Sequence, residues 1–354
     1  MRRRRLGQSE LEVPVLCLGA WTFGGWNWGG ADDEASVRAV HAAIECGMNA
    51  IDTAPVYGFG HSERIVGRAI AGQRDRVIVM TKVGLRWDDE RGVEFFRTPD
   101  PDGRMLTVRK NSRPWSVKYE VEQSLKRLGV DVIDLVQVHW PDPSTPIGLT
   151  MHALLELRRE GKLRAIGVSN FTVAQMEEAQ LALGDVALAS AQPKYNFVAR
   201  EIERQVLPFA QRADVGVLVY SPLEQGLLTG KVDAARTFPE GDGRRGRATF
   251  SPENRAAVNA LLQRVVVPIA ERHGATIGQV VLACTIAQPG ITSALVGART
   301  PEQVRENARA GELELADEEV RAVHDAFVAL RLTGLPAYGR RAKLMRFLSR
   351  MIGR

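Results

Sequence analysis

The chain has little of what would build a disulfide framework, a membrane span or a metal centre. Its three cysteines among 354 residues, Cys17, Cys46 and Cys284, are odd in number, far apart and set in apolar surroundings. That pattern speaks against stapling and for buried thiols in a reducing compartment, the cytoplasm by default. No apolar run approaches the ~20 residues of a spanning helix. The opening MRRRRLGQSELEVPVL carries a basic cluster with no apolar stretch behind it, so it reads as a short strand and turn, not a secretion signal. The six histidines show neither HExxH nor clustered ligand spacing, and no metal is expected. Gly24, Gly25, Gly29 and Gly30, around Trp26 and Trp28, do not spell GxGxxG after a strand, which leaves a dinucleotide domain of the Rossmann type without support.

What is present is the balance of a soluble globular chain, 45% hydrophobic and 25% charged. The net charge of +5 is uneven, because residues 336 to 354 hold Arg340, Arg341, Lys343, Arg346, Arg350 and Arg354 and no acid. Without them the body is nearly neutral, which argues against a nucleic-acid binder.

Short apolar, β-branched runs recur eight times: Val15 to Leu18, Met48 to Ile51, Val77 to Met80, Leu135 to Val138, Leu163 to Val168, Val186 to Ala191, Val215 to Val219 and Ile291 to Val296. Segments of helical spacing lie between most of them, such as Val37, Val40 and Ile44 closed by Gly47, and Val117, Val121, Leu125 and Leu128 closed by Gly129. Continuous apolar strands imply burial on both faces, as in a parallel sheet. Eight alternations of strand and helix predict an α/β fold, a closed (β/α)8 TIM barrel over residues 1 to 335, with an N-terminal β-hairpin and a basic C-terminal helical tail over 336 to 354. Two long polar inserts, 84 to 113 and 229 to 252, each follow a strand and fall at the C-terminal face. The second, with GDGRRGR at 241 to 247, is either a disordered surface loop or a loop that closes over an anionic cofactor.

Residues just past the strands should converge on one mouth, and they are chemically suggestive. Asp52 ends the second strand and Tyr57 follows it; Lys82 ends the third; His139 and Trp140 end the fourth. A tyrosine is a weak acid, with a pKa of about 10, and a neighbouring ammonium lowers that value. Lys82 can supply the charge, Asp52 can hold it by a charge-assisted hydrogen bond, and His139 can orient or polarise a carbonyl oxygen. Singly, each residue has an ordinary structural alternative: a cap, a packed loop residue, a solvated lysine, a core histidine.

NAIDTAPVYGFGHSERIVGRAI (49 to 70) and IDLVQVHWPDP (133 to 143) resemble the two signature stretches of the aldo-keto reductase superfamily. GKLRAIGVSNF (161 to 171), YSPLEQGLLTGK (220 to 231) and GARTPEQVRENA (297 to 308) are further blocks in the expected order. The resemblance covers residues 5 to 330 and is nearest to bacterial general-stress and inositol-operon types, more distantly to potassium-channel beta subunits. It implies that Asp52, Tyr57, Lys82 and His139 are a catalytic tetrad and that the cofactor is NADPH. Ser169, Asn170 and Gln192 would take the nicotinamide carboxamide and Tyr220 would stack on the ring, with Trp21 also at the cofactor. As bare sequence, Ser169-Asn170 is equally a helix N-cap, and Thr172 could serve as well. Ser221, Leu223, Gly226 and Lys231 match pyrophosphate positions. Gly297, Ala298, Arg299 and Gln303 match the 2′-phosphate site at a helix start, where unpaired N–H groups favour an anion. Gln303 stands where several relatives have Arg. Glu306 and Asn307 match adenine contacts, with exposed helix polars as the alternative.

Trp28, Trp87 and Trp140, with Trp21, are candidate apolar walls of a carbonyl pocket, scattered core tryptophans being the alternative; Arg86 and Arg109 are read as solvated loop residues in preference to contacts for an acidic substrate. In the tail, Leu344, Met345, Leu348, Met351 and Ile352 share one helical side, which would pack on the barrel, with a membrane surface or partner as the less favoured use. The expected protein is an NADPH-dependent carbonyl reductase acting on small molecules, without nucleic acid, as a monomer or weak homo-oligomer. The rival is an NADP(H)-binding redox sensor subunit with little turnover.

Overall fold

A computed structural model describes residues 1–25 and 30–335; Trp28 and the tail over 336–354 lie outside the described residues. The barrel strands are β1 (Leu16–Gly19), β2 (Ala50–Asp52), β3 (Ile78–Val83), β4 (Ile133–Val138), β5 (Leu163–Ser169), β6 (Leu188–Gln192), β7 (Gly216–Tyr220) and β8 (Ser293–Gly297). Each pairs in parallel with the next, and β8 closes on β1 through Leu16 opposite Ala294. All eight apolar runs therefore became strands, and the fold is the (β/α)8 barrel expected from them.

The helices are α1 (Asp33–Glu45), α2 (His61–Ile70), α3 (Pro114–Leu128), α4 (Ile147–Arg159), α5 (Val173–Leu183), α6 (Val206–Ala213), α7 (Pro252–Leu261), α8 (Val267–Arg272), α9 (Ile277–Ile286), α10 (Pro301–Ala308) and α11 (Asp317–Ala329). Their ends follow local chemistry: Asp32 caps α1 by accepting from Ala35 N, Pro114 opens α3, and Thr172 and Gln175 form a capping box on α5. Thr172, not Ser169 or Asn170, is thus the cap. No helix among the described residues is long and apolar enough to cross a membrane.

Side chains alternate across each strand. Outward residues such as Leu16, Ile51, Val79, Val136 and Ile166 pack with Val40, Val66, Val121 and Leu154 of the helices. Inward, Cys17, Ala50, Met80, Leu135, Ala165, Leu218 and Leu295 fill a lower apolar layer. One pleat higher, Ala50, Met80 and Leu135 give way to Asp52, Lys82 and Gln137, all buried. The same period of two that makes the core thus sets a polar layer above it. From below, the antiparallel hairpin Arg3–Arg5 with Glu12–Pro14 presents Leu6, Leu11 and Val13 to the apolar layer.

The inserts are structured. The first carries a three-stranded antiparallel sheet: Leu85–Arg86, Met105–Lys110 and Val93–Pro99 in spatial order. Arg86, expected in solvent, is instead buried, bonded to Asp88 and Ser116 and set 4.4 Å from the Tyr119 ring centroid. A guanidinium with carboxylate and aromatic partners tolerates burial. The second insert packs on α7: Arg255 donates to the carbonyls of Asp233 and Arg236, and Phe238 meets Phe250 edge-on.

Candidate active site

The polar layer is wired from strand to strand. Lys82 Nζ donates to Asp52 Oδ1 at 2.5 Å and to the Thr53 carbonyl at 2.9 Å. The other Asp52 oxygen accepts from Gln192 Nε2 at 2.9 Å and Gln137 Nε2 at 3.4 Å. Ser190 in turn donates to Gln137 Oε1, and Gly167 makes room for it: a Cβ there would stand 2.1 Å from Ser190 Oγ. The Lys82 ammonium also faces Tyr57, 5.1 Å from its ring centroid.

Tyr57 sits on the turn between β2 and α2, fixed by a close backbone crossing. Gly58, at φ 59°, presses on Gly24, where a Cβ would come within 2.6 Å of Gly58 N. His139 faces Tyr57 edge-on, with centroids 5.8 Å apart and planes at 83°.

The electrostatics give each group a definite state. Burial raises the Tyr57 phenol above its ordinary value; Lys82 opposes that and Asp52 adds to it. The lysine has the expected sign, but desolvation outweighs it, so Tyr57 is fully protonated at neutral pH. Burial works to lower Lys82, yet Asp52 and Tyr57 beside it carry the net shift upward, and it stays charged. Burial, then the Lys82 charge, pushes His139 well below the usual imidazole range, so the ring is neutral.

Around this layer opens a cleft of about 750 Å³. Of the sequence-selected residues it is lined by Trp21, Asp52, Tyr57, His139, Trp140, Ser169, Asn170, Gln192, Tyr220, Ser221, Leu223, Gly226, Lys231, Gly297, Ala298, Arg299, Gln303, Glu306 and Asn307. Lys82 lies just beneath, bonded to Asp52. Trp87 does not reach the cleft and packs against Phe59 behind the wall, centroids 5.7 Å apart. At the mouth, Asn170 holds the left-handed conformation (φ 61°) and links three elements: its Nδ2 donates to the His139 carbonyl and Ser169 Oγ, and its Oδ1 accepts from Tyr220 OH at 2.9 Å. Ser221, Glu224 and Gln225 also have positive φ, the kind of strained backbone that clusters at functional sites.

The far end of the cleft is basic: Lys231, Arg236, Arg244, Arg247 and Arg299 line it. Burial, then the like charge of Arg244, lowers Arg299 from its ordinary value, while Asp242, paired with Arg244 at 2.7 Å, opposes that shift. Thr300 caps α10 with Pro301 at its first position, and Gln303 Oε1 accepts from Arg299 N at 2.8 Å. Lys231 reaches Glu306 at 3.2 Å.

Arg244 and Arg247, from the GDGRRGR segment read as a surface loop or a loop over an anionic cofactor, line the cleft; sequence reasoning missed Phe95, Phe96 and Gln137. The two phenylalanines sit in the first insert, where no periodic strand signal fixed their direction. Gln137 had a signal, since it stands one pleat above an inward leucine.

A wired acid, base and ammonium on the C-terminal face of a parallel barrel, opening on a basic cleft, define the class. The model of the aldo/keto reductase family matches residues 15–327, and the chain belongs to this family of oxidoreductases, which use nicotinamide cofactors.

Among its relatives, the chain is 39% identical to aldo-keto reductase YhdN of Bacillus subtilis over 86% of this chain and 87% of that one. It is 38% identical to an NADH-specific methylglyoxal reductase of Escherichia coli, over 93% and 99%. A solved glycerol dehydrogenase from Gluconobacter oxydans superposes with TM-score 0.83 at 40% identity, over 94% of this chain and 97% of that one. A putative voltage-gated potassium channel beta subunit of Schizosaccharomyces pombe is 33% identical, over 87% and 88%.

Proposed function

We propose that this protein reduces aldehyde and ketone carbonyls of small molecules to alcohols with NADPH, Tyr57 delivering the proton. The observation that carries this is the chain Asp52, Lys82, Tyr57 beside a neutral His139, all at the inner end of one basic-tipped cleft. The donor set fits a dinucleotide. Ser169, Asn170 and Gln192 offer amide and hydroxyl groups for a carboxamide, and Tyr220 an aromatic face for the ring, with Trp21 nearby. Ser221, Leu223, Gly226 and Lys231 would hold the pyrophosphate, and Glu306 and Asn307 the adenine. The α10 start, with Gly297, Ala298, Arg299 and Gln303, would hold a 2′-phosphate.

Bound NADPH supplies the hydride. His139, neutral, donates a hydrogen bond that orients the carbonyl oxygen. Tyr57 OH gives its proton to that oxygen as the alkoxide develops; Lys82 stabilises the phenolate left behind, and Asp52, held by Gln192 and Gln137, keeps the ammonium in place. Trp140 bounds the site and excludes water.

NADPH is favoured over NADH here by Arg299 at the α10 start, although one relative is NADH-specific. The test follows loss of the reduced nicotinamide's absorbance with each cofactor and a panel of carbonyls. Carbonyl-dependent oxidation is expected, with NADPH the better donor. Tyr57→Phe should lower kcat on the order of 10²–10⁴-fold while cofactor binding persists. Tight NADPH binding without turnover on any carbonyl would overturn the reading in favour of a redox-sensing subunit.

A further inference from the structure

A regular strand points consecutive side chains to opposite faces, so the pair Phe95-Phe96 should place one ring on the cleft and the other in water. The register between Val93–Pro99 and Met105–Lys110 does not allow this. Glu94 pairs with Arg109 but Phe96 pairs with Val108, which leaves Phe95 as the extra residue of a β-bulge. Both rings consequently fall on the face that carries buried Val108, and both line the cleft.

The rings build one aromatic wall. Phe95 lies 5.3 Å from Phe96 and 5.4 Å from Trp140, centroid to centroid, and the Lys110 ammonium sits 4.5 Å from the Phe95 ring and 5.5 Å from Trp140, pinning strand to mouth. Val56 and Leu85 complete the apolar lining beside Tyr57 and His139. Partly buried rings turned toward a cleft by a bulge offer a planar apolar surface to whatever binds there.

Resting on the reductase reading above, we propose that Phe95 and Phe96 form, with Trp140, a slot that selects carbonyl substrates bearing an aryl group over short aliphatic ones. The aryl ring stacks in the slot while the carbonyl reaches Tyr57 and His139. Two or more ring contacts and the apolar area they remove from water together favour the aryl substrate by about 2 kcal/mol, or about 30-fold in kcat/KM.

The test compares kcat/KM for 2-naphthaldehyde and propanal in the full chain with NADPH, for the wild type, Phe95→Ala/Phe96→Ala, and Phe95→Leu/Phe96→Leu. The wild type should prefer the aryl aldehyde by about 30-fold, and the alanine pair should lose most of that preference while propanal turnover stays within about threefold. The leucine pair, apolar but not planar, should fall between. A preference unchanged in the alanine pair, with propanal turnover retained, overturns the slot. Calorimetric binding of 2-naphthaldehyde to the same proteins separates the two readings: if no aldehyde is turned over, the reductase reading fails, and the slot stands or falls on whether the alanine pair loses that binding. The leucine pair also guards against misfolding, since it keeps the packing volume behind the wall.

Discussion

Replacing Glu120 by glutamine should remove a pH dependence of stability that the wild-type protein carries. Glu120, on α3, is buried behind the end of β3, where both carboxyl oxygens accept from Gly84 N at 3.0 Å and Ser116 lies at 3.4 Å. Burial pushes its carboxyl up to about 8 from 4.5, against the opposing Gly84 hydrogen bond and Arg86 charge. A carboxyl raised on folding binds its proton more tightly in the native state. Its stabilising contribution is whole below the unfolded value and is lost as pH rises through the folded one. The gap between 4.5 and about 8 amounts, at about 1.4 kcal/mol per pH unit, to about 5 kcal/mol. Glutamine keeps the shape and an acceptor for Gly84 but cannot ionise. Urea unfolding at intervals from about pH 5 to about pH 8 should therefore show the wild-type advantage over Glu120→Gln shrinking by about 1.4 kcal/mol per pH unit, and levelling off above. A difference that stays constant across the window would refute a neutral, buried Glu120.

Two further outcomes follow from the structure. Asp134 is buried and accepts from Val79 N, Arg74 and Arg164 at 2.7, 2.7 and 2.8 Å. Asp134→Asn should lower stability by about 2–3 kcal/mol, less than a fully buried pair because both arginines are partly in water; an unchanged urea midpoint would count against the assignment. Arg299→Ala should lower kcat/KM for NADPH by about tenfold and leave NADH within about twofold, and an equal loss with both cofactors would remove the phosphate role from Arg299.

Much of this is legible in the sequence. The barrel followed because each strand is a buried apolar run, and burial on both faces is a property a sequence displays directly. Asp52, Lys82 and His139 were found because they end apolar runs, and the strand ends of a parallel barrel converge on one mouth. The inserts were opaque for the converse reason. In Val93-Glu94-Phe95-Phe96-Arg97-Thr98 the bulge breaks the alternation that would have announced a strand, although Asp100-Pro101-Asp102-Gly103 marks a turn plainly enough. Arg86 was misplaced in solvent because its burial depends on Tyr119 and Ser116, some 30 residues on. The net rise of Tyr57 was hidden likewise, since desolvation is a property of the assembled mouth and not of Tyr57 and Lys82 as a pair.

The hairpin beneath the barrel has a bearing on how the chain reaches this state. Leu6, Leu11 and Val13 cover a surface that needs side chains from strands as late as Leu295, and Arg4 donates to the carbonyls of Ile286 and Ile291, 282 and 287 residues away. Arg2 reaches the Gly311 carbonyl across 309 residues. The same leucines also meet Cys17, Ala50 and Met80 of the first strands, so the plug ties both ends of the chain into one floor. Contacts of such long sequence separation are the kind that slow the folding of a domain.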